Sequence, residues 1–158
     1  MPRTFWRLVE PVDADVDLRD PRQRAELRRR HGSVLGAVAL GGAVGALARY
    51  GIGLLWPAAP GTIPWDVLVI NVSGSLLIGV LMVLVVERPG AHRLLRPLLG
   101  TGVLGGYTTF STYALDVHRL VEGGHPGAAA GYLVGTLAGA LFGTWAGLVL
   151  TRRAVGHR

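Results

Sequence analysis

Four long apolar segments dominate this sequence and limit the folds that it can adopt. They run from about Ser33 to Leu55, Trp65 to Val86, Leu94 to Leu120 and Ala128 to Leu150. Each is close to the ~20 residues that an α-helix needs to cross the hydrocarbon core of a bilayer. Inside a bilayer, backbone N–H and C=O groups need partners within the protein, and a helix supplies them along its own length. The sequence therefore predicts an all-α membrane protein with four transmembrane helices.

The composition agrees with a membrane environment. Half of the residues are apolar, 16% are charged, and 24 of the 158 residues are glycine. In soluble domains about a quarter of the residues are charged. Glycine is common in membrane helices because it lets two backbones approach closely. The chain has no cysteine, which excludes disulfides, thiolate catalysis and cysteine-ligated metals.

Arginine supplies all 16 basic residues and is unevenly distributed along the chain. Only Arg49 and Arg119 lie outside the N-terminal tail, the connection 87–97 and the C-terminal end. Because cytoplasmic loops of membrane proteins are rich in arginine, we expect both termini in the cytoplasm, at the cell membrane. The arginines flank apolar segments instead of lining one soluble face, so nucleic-acid binding is not expected.

The same pattern divides the chain into three parts. Residues 1–31 form a polar, arginine-rich tail that we expect to be cytoplasmic and partly disordered, with a short amphipathic helix over 20–30 as the alternative. Residues 32–151 form the transmembrane domain, and residues 152–158 form a basic C-terminal tail.

The third segment is rich in residues that oppose a continuous helix. Glycine, serine and threonine occupy seven of the eleven positions from Gly102 to Thr112, and these residues favour alternatives to helical hydrogen bonding. We expect a break within Gly105-Gly106-Tyr107-Thr108-Thr109, with a kinked but continuous helix as the alternative. Broken backbone at membrane depth has to be buried in protein or face a cavity. Freed carbonyls there can hold a cation, and freed amides can face an anion.

Two polar side chains in the first two segments each admit two interpretations. Arg49 either extends to the membrane interface or places a positive charge in an aqueous vestibule, where it would concentrate anions. Asn71 either joins neighbouring helices by hydrogen bonds or donates to a permeating solute.

The fourth segment combines a glycine row with a hydroxyl row. Glycine recurs at every fourth position from Gly127 to Gly147, which predicts a ridge for close helix packing. Tyr132, Thr136 and Thr144 follow one residue later, interrupted by Ala140. These hydroxyls either satisfy backbone carbonyls or line a narrow polar track.

No arrangement of residues predicts an enzyme. The histidines lie at segment ends or in tails, and Ser75 and Ser111 have no general base nearby in the sequence. No acid lies in the middle of a segment, which disfavours a proton-coupled transporter.

Three motifs together resemble the fluoride channels called Fluc or CrcB, over about Ser33 to Leu150. They are Gly-Ala-Leu-Ala-Arg-Tyr at 45–50, Asn71 with Gly74 and Gly79, and Gly-Gly-Tyr-Thr-Thr-Phe-Ser-Thr-Tyr at 105–113.

The resemblance implies an antiparallel, dual-topology dimer with two pores, which exports fluoride passively and so reduces its toxicity. It also implies a structural sodium ion at the dimer centre, held by backbone carbonyls at the positions of Gly105 and Thr108. The arginine bias instead favours insertion in one direction and pairing with a homologous partner of opposite orientation, so homodimer and heterodimer both stay open.

The resemblance further assigns pore residues. Phe110 and Tyr113 match the pore phenylalanines, Arg49 the vestibule arginine, Asn71 the pore asparagine, and Tyr132 and Thr136 the polar track. Asn71 and the hydroxyls of Thr112 and Thr136 can replace part of the water around a fluoride ion.

Two departures from the family pattern bear on the pores. Tyr113 brings a hydroxyl that can trap fluoride or fill the pore, and Ala140 removes one hydroxyl from the track. A non-conducting or regulatory subunit of a heterodimeric channel and a small dimeric transporter are the alternative functions.

Overall fold

The structure is a computed structural model, and it describes residues 21–59, 61–87 and 91–156. The regular structure among these residues is entirely helical, without a strand in the described ranges, so the predicted all-α class is confirmed. In chain order the elements are α1 (Pro21–Leu55), α2 (Trp65–Leu81), the π-helical segments Met82–Val86 and Arg96–Leu104, α3 (Gly105–Tyr107), α4 (Phe110–Glu122) and α5 (Pro126–Val155).

The chain divides into two units, residues 1–32 and residues 33–158. In the first unit, residues 21–32 are described and form the beginning of α1. Residues 1–20 lie outside the described ranges, as do residues 157 and 158, so the boundaries and states of the two predicted tails stay predictions. The side-chain contacts discussed here all belong to the second unit.

Within the described ranges, three helices are long and apolar enough to cross a membrane. They are His31–Leu55, Trp65–Val85 and Pro126–Val155. These spans coincide with the first, second and fourth apolar segments of the sequence, which identifies a multi-pass membrane protein. The third apolar segment consists of shorter helical pieces.

Glycines bring α2 and α5 into close contact. A Cβ added at Gly143 or Gly147 would overlap the backbone of α2 at Val72 or Leu76, and one added at Gly79 would overlap the Thr144 carbonyl of α5. The glycine ridge predicted for the fourth segment therefore packs within the chain along its second half. Along the first half, a Cβ at Gly127, Gly131 or Gly135 would have no neighbouring heavy atom within 4 Å among the described residues.

A second set of glycines brings α1 against the π-helical segment Arg96–Leu104. Gly41 and Gly45 lie where a Cβ would overlap the Leu98 and Val103 carbonyls, and a Cβ at Gly106 would overlap the Gly42 carbonyl. Because these contacts are backbone against backbone, a side chain at any of these positions would push the two elements apart.

The helical path of the third segment is interrupted between α3 and α4. Thr108 (φ −77°, ψ 159°) and Thr109 (φ −148°, ψ 124°) have extended backbone, and helical structure resumes at Phe110. The interruption falls on the last two residues of the glycine–threonine stretch. It separates α3 from α4, a 13-residue helix in which apolar and polar residues are mixed.

An ion pair connects the residue that follows the π-helical segment Met82–Val86 with the end of α5. The Arg152 guanidinium donates two hydrogen bonds to the Glu87 carboxylate, of which the Nε bond measures 3.2 Å. Hydrogen bonding from Arg152 lowers the pKa of the exposed Glu87 carboxyl. Exposed pairs of this kind contribute little to the free energy of unfolding.

Candidate functional site

One side chain of α2 holds the interrupted backbone. The Asn71 amide donates from Nδ2 to the Thr109 carbonyl at 3.0 Å, and its Oδ1 accepts from the Thr109 N–H at 2.9 Å. The amide thus pairs with Thr109 as a neighbouring strand would, and it satisfies both backbone groups of this residue in a partly buried position. Buried backbone groups without partners are costly, so this exchange stabilises the extended conformation.

Two further residues of α2 contact the residues that precede Thr109. The Ser73 and Tyr107 hydroxyls are 2.9 Å apart and hydrogen-bonded, and Gly74 lies so close to Thr108 that a Cβ would overlap the Thr108 methyl group. Together with the Asn71 bonds, these contacts hold three consecutive residues of the interruption, 107–109, against one side of α2.

The same hydrogen bonds release two carbonyls. In a continuous helix the Thr109 N–H would donate to the Gly105 carbonyl, but here it donates to Asn71. Likewise, the Thr112 N–H would donate to the Thr108 carbonyl, but here it donates to the Thr109 hydroxyl at 3.2 Å. Gly105 and Thr108 are the two positions that sequence reasoning assigned to a cation, and the local bonding leaves their carbonyl oxygens available.

The Thr109 side chain caps α4. Its hydroxyl accepts from the Thr112 N–H and donates to the Thr112 hydroxyl at 3.0 Å. A hydroxyl that accepts a hydrogen bond keeps its own hydrogen as a donor. Thr112 also lines an open groove between α1, α2 and α4. The capping network therefore leaves the Thr112 hydroxyl as a hydrogen-bond donor at the wall of this groove.

The groove has a volume of about 260 Å³ and lies between the end of α1, the start of α2 and the start of α4. It is lined by Ala46, Arg49, Tyr50, Gly53, Asp66, Val67, Ile70, Thr109 and Thr112. Arg49 is partly exposed in it. The groove thus combines a guanidinium, a hydroxyl donor and a carboxylate within one open depression.

Aromatic rings form a second feature, between α4 and α5. Phe110 and Tyr113 have ring centroids 5.8 Å apart, and Tyr113 and Tyr132 have centroids 5.4 Å apart, with interplanar angles of 54° and 53°. The series runs from Phe110, which is 80% exposed, to Tyr132, which is 1% exposed. The Tyr113 hydroxyl, the departure from the family pattern, donates to the Leu133 carbonyl at 2.8 Å.

Two hydroxyls of α5 are buried without protein partners. The Tyr132 and Thr136 oxygens have no hydrogen-bond partner among the described residues, although the two residues are 1% and 5% exposed. They lie one helical turn apart, next to the aromatic series. Thr144, the third hydroxyl of the row, instead donates to the Ser75 and Ala140 carbonyls.

The predicted residues therefore fall into three groups. Arg49 and Thr112 share the groove. Asn71 bonds to Thr109, and this bonding releases the carbonyls of Gly105 and Thr108. The aromatic series joins Phe110 and Tyr113 to Tyr132, with Thr136 one turn further. Their roles in ion permeation stay predictions.

Sequence reasoning missed Thr109 and Asp66. Thr109 was counted only as a residue that opposes a helix, although it is the partner of Asn71 and the cap of α4. The sequence pattern assigns Asp66 to no site, although it lines the groove with Arg49. A threonine before a 13-residue helix is a recognisable capping signal, but no sequence signal places Asp66 beside Arg49.

Comparison with known proteins identifies relatives for most of the chain. Residues 36–148 match the protein family described as "CrcB-like protein, Camphor Resistance (CrcB)". This match includes the interruption, the aromatic series and the groove.

Curated relatives extend the comparison. A protein of Streptomyces avermitilis named fluoride-specific ion channel FluC 2 is 53% identical over 119 residues, which cover 72% of this chain and 75% of the relative. A FluC 2 of Nocardia farcinica is 52% identical over 124 residues, covering 78% and 89%. A FluC 1 of Streptomyces coelicolor is 45% identical over 130 residues, covering 82% and 84%.

The pairing of Asn71 with Thr109 predicts a stability effect. Replacing Asn71 with alanine leaves the Thr109 N–H and carbonyl without partners, so we expect Asn71→Ala to lower the free energy of unfolding by about 1–3 kcal/mol. Thermal unfolding of the detergent-solubilised protein measures this loss.

Thr62→Ala is the matched control, because the Thr62 hydroxyl also donates to a backbone carbonyl, that of Ala59 at 2.8 Å, but in an exposed loop. Equal unfolding temperatures for the two variants would show that the Asn71 bonds do not hold the interruption.

Proposed function

This chain belongs to the CrcB family, and we propose on that basis that it is a fluoride-selective, passive ion channel that lets cytoplasmic fluoride leave the cell. One observation about the chain itself carries the proposal. The interruption between α3 and α4 is held open by Asn71, and the exposed Phe110 ring begins directly after it. The named relatives are fluoride-specific ion channels, and ion channels are not enzymes.

Fluoride chemistry fits the groups that this chain offers. Fluoride is small and strongly hydrated, so a pore has to replace its water by hydrogen-bond donors. Thr112 offers a hydroxyl at the groove, and Tyr132 and Thr136 offer buried hydroxyls without partners among the described residues. Aromatic ring edges carry a partial positive charge, so Phe110 and Tyr113 can face an anion edge-on. Such sites have to bind fluoride well enough for entry and weakly enough for exit.

Arg49 and Asn71 would act at different depths. In our proposal the Arg49 guanidinium attracts fluoride into the groove, since a positive charge in a depression raises the local anion concentration. The side-chain carbonyl oxygen of Asn71 and one of its amide hydrogens are hydrogen-bonded to Thr109. Its second amide hydrogen would be the one to contact fluoride.

The pathway needs a second subunit. We propose that segment 94–120 is the fourth, interrupted membrane crossing, and that two subunits pair in opposite orientations around their interruptions. Phe110 supports this arrangement because its ring is 80% exposed and projects out of its own chain. The open half of the α5 glycine ridge offers a face for close helix packing.

The second subunit is either another copy of this chain or a homologue. The arginine bias predicts that both termini of this chain are cytoplasmic, and it favours a homologue of opposite orientation. Streptomyces avermitilis, for example, has relatives named FluC 2 and FluC 3. Expression of the chain alone, compared with co-expression with a homologous subunit, separates the two possibilities. Every flux experiment then uses the dimer that forms.

We further propose a structural sodium ion at the dimer centre. Side-chain clusters of three or more histidine, aspartate or glutamate residues do not occur among the described residues. Oxygen ligands would therefore come from backbone, and the carbonyls of Gly105 and Thr108 are released by the bonding at the interruption. Unwound backbone carbonyls are known sodium ligands. The ion would neutralise carbonyl dipoles that otherwise face one another across the dimer.

The Phe110 ring tests the proposed pathway. Phe110→Ile keeps an apolar side chain but removes the ring edge, so we expect it to abolish fluoride efflux from liposomes while the dimer elutes normally in detergent. Phe142→Ile is the matched control, because the Phe142 ring is also exposed, at 65%, but stacks on Trp145 of α5. Unchanged efflux in Phe110→Ile would remove this ring from the pathway.

The proposed sodium ion makes a separate prediction. A buried structural ion exchanges slowly, so replacing sodium in the bath by N-methylglucamine should leave the fluoride efflux rate unchanged on the timescale of the assay. A prompt, graded dependence of the rate on external sodium would indicate coupled transport instead.

A further inference from the structure

Asp66 puts a negative charge into the groove that carries Arg49. Both residues line this groove, together with Tyr50, Thr109 and Thr112. Asp66 lies in the first turn of α2. The groove that we propose as the entrance for an anion therefore contains one charge that attracts the anion and one that repels it.

The Asp66 carboxylate forms no salt bridge within the described part of the chain. The salt bridges among the described residues are His118 with Glu122, Arg119 with Asp116 and Arg152 with Glu87. None of them includes Asp66, and its buried Oδ1 has no hydrogen-bond partner among the described residues. Asp116, by contrast, has its charge offset by Arg119 at 3.4 Å. The charge of Asp66 consequently acts on whatever occupies the groove.

We propose that Asp66 limits the rate at which fluoride enters the pore, by opposing the field of Arg49 in the groove. This inference rests on the proposed function and adds a residue that sets the rate. An anion in the groove interacts with both charges. Ionised Asp66 offsets part of the attraction due to Arg49, so fluoride accumulates less at the entrance than it would with Arg49 alone. A weaker entrance site also favours rapid exit, which a passive channel needs in both directions.

The direct test removes the charge and keeps the shape of the side chain. At fluoride concentrations well below saturation and at low ionic strength, we expect Asp66→Asn to raise the initial fluoride efflux rate by about two- to fivefold. The gain should fall towards one when an impermeant gluconate salt is raised from about 10 mM to about 1 M, because the Debye length shrinks from about 30 Å to about 3 Å. A fluoride electrode outside proteoliposomes measures both rates.

Glu122→Gln is the matched control. It removes the same unit charge near the same end of the molecule, since the loop around Gly61 and the turn after α4 meet at His125. Glu122 does not line the groove and pairs with His118 on an exposed helix surface. The efflux rate of the Glu122→Gln variant should equal that of the wild type at both ionic strengths.

A second pair of variants covers the case in which Asp66→Asn does not assemble. Tyr50 also lines the groove and is 65% exposed, so its substitution leaves the contacts within the chain largely intact. Tyr50→Glu should carry fluoride about two- to fivefold more slowly than the neutral Tyr50→Gln, again only at low ionic strength.

The outcomes separate this inference from the proposed function. Faster efflux in Asp66→Asn with salt-sensitive gain, together with an unchanged Glu122→Gln, supports the role of Asp66. If the wild type carries fluoride but Asp66→Asn is no faster than the wild type, this role of Asp66 is overturned and the channel function stands. Equal efflux rates for Tyr50→Glu and Tyr50→Gln would also overturn this role and leave the channel function intact. An assembled wild type that carries no fluoride overturns the proposed function itself.

Discussion

The exchange of two hydrogen bonds between Asn71 and Thr109 is the interaction on which the proposed site depends. It holds extended backbone between two helices in a partly buried position, where N–H and C=O groups without partners are costly. By occupying the Thr109 N–H it also releases the Gly105 carbonyl, and the capping by Thr109 releases that of Thr108. The start of α4, and with it the position of the Phe110 ring, follows from the same pairing.

Much of this fold is predictable because membrane helices need long apolar segments, and glycine with threonine marks where one of them cannot continue. The partners across the interruption are not predictable, since Asn71 and Thr109 are 38 residues apart in the sequence and meet only through tertiary packing. Sequence reasoning left Asn71 with two interpretations, and the structure gives its amide a protein partner while its contact with fluoride stays a prediction. The Tyr113 hydroxyl, expected as a possible obstacle, donates to the Leu133 carbonyl.

Two kinds of constraint act along the proposed route. At the groove, we propose that opposite charges on Arg49 and Asp66 set how strongly an anion is attracted. Further along, we propose that ring edges replace water around the ion, together with the hydroxyls of Tyr132 and Thr136, which have no hydrogen-bond partner within the described ranges. Glycines bring α1 against segment 96–106 and α5 against α2 by close backbone approach, while the Phe110 ring stays exposed.

The most direct test of the account compares fluoride and chloride efflux from liposomes that contain only the purified dimer of which this chain is part. If the chain forms a fluoride-selective channel, fluoride leaves the liposomes down its gradient as soon as a potassium ionophore dissipates the membrane potential. Chloride in parallel liposomes is retained. Release of both anions at similar rates would contradict selectivity. Retention of fluoride by liposomes with an intact dimer would contradict the channel function.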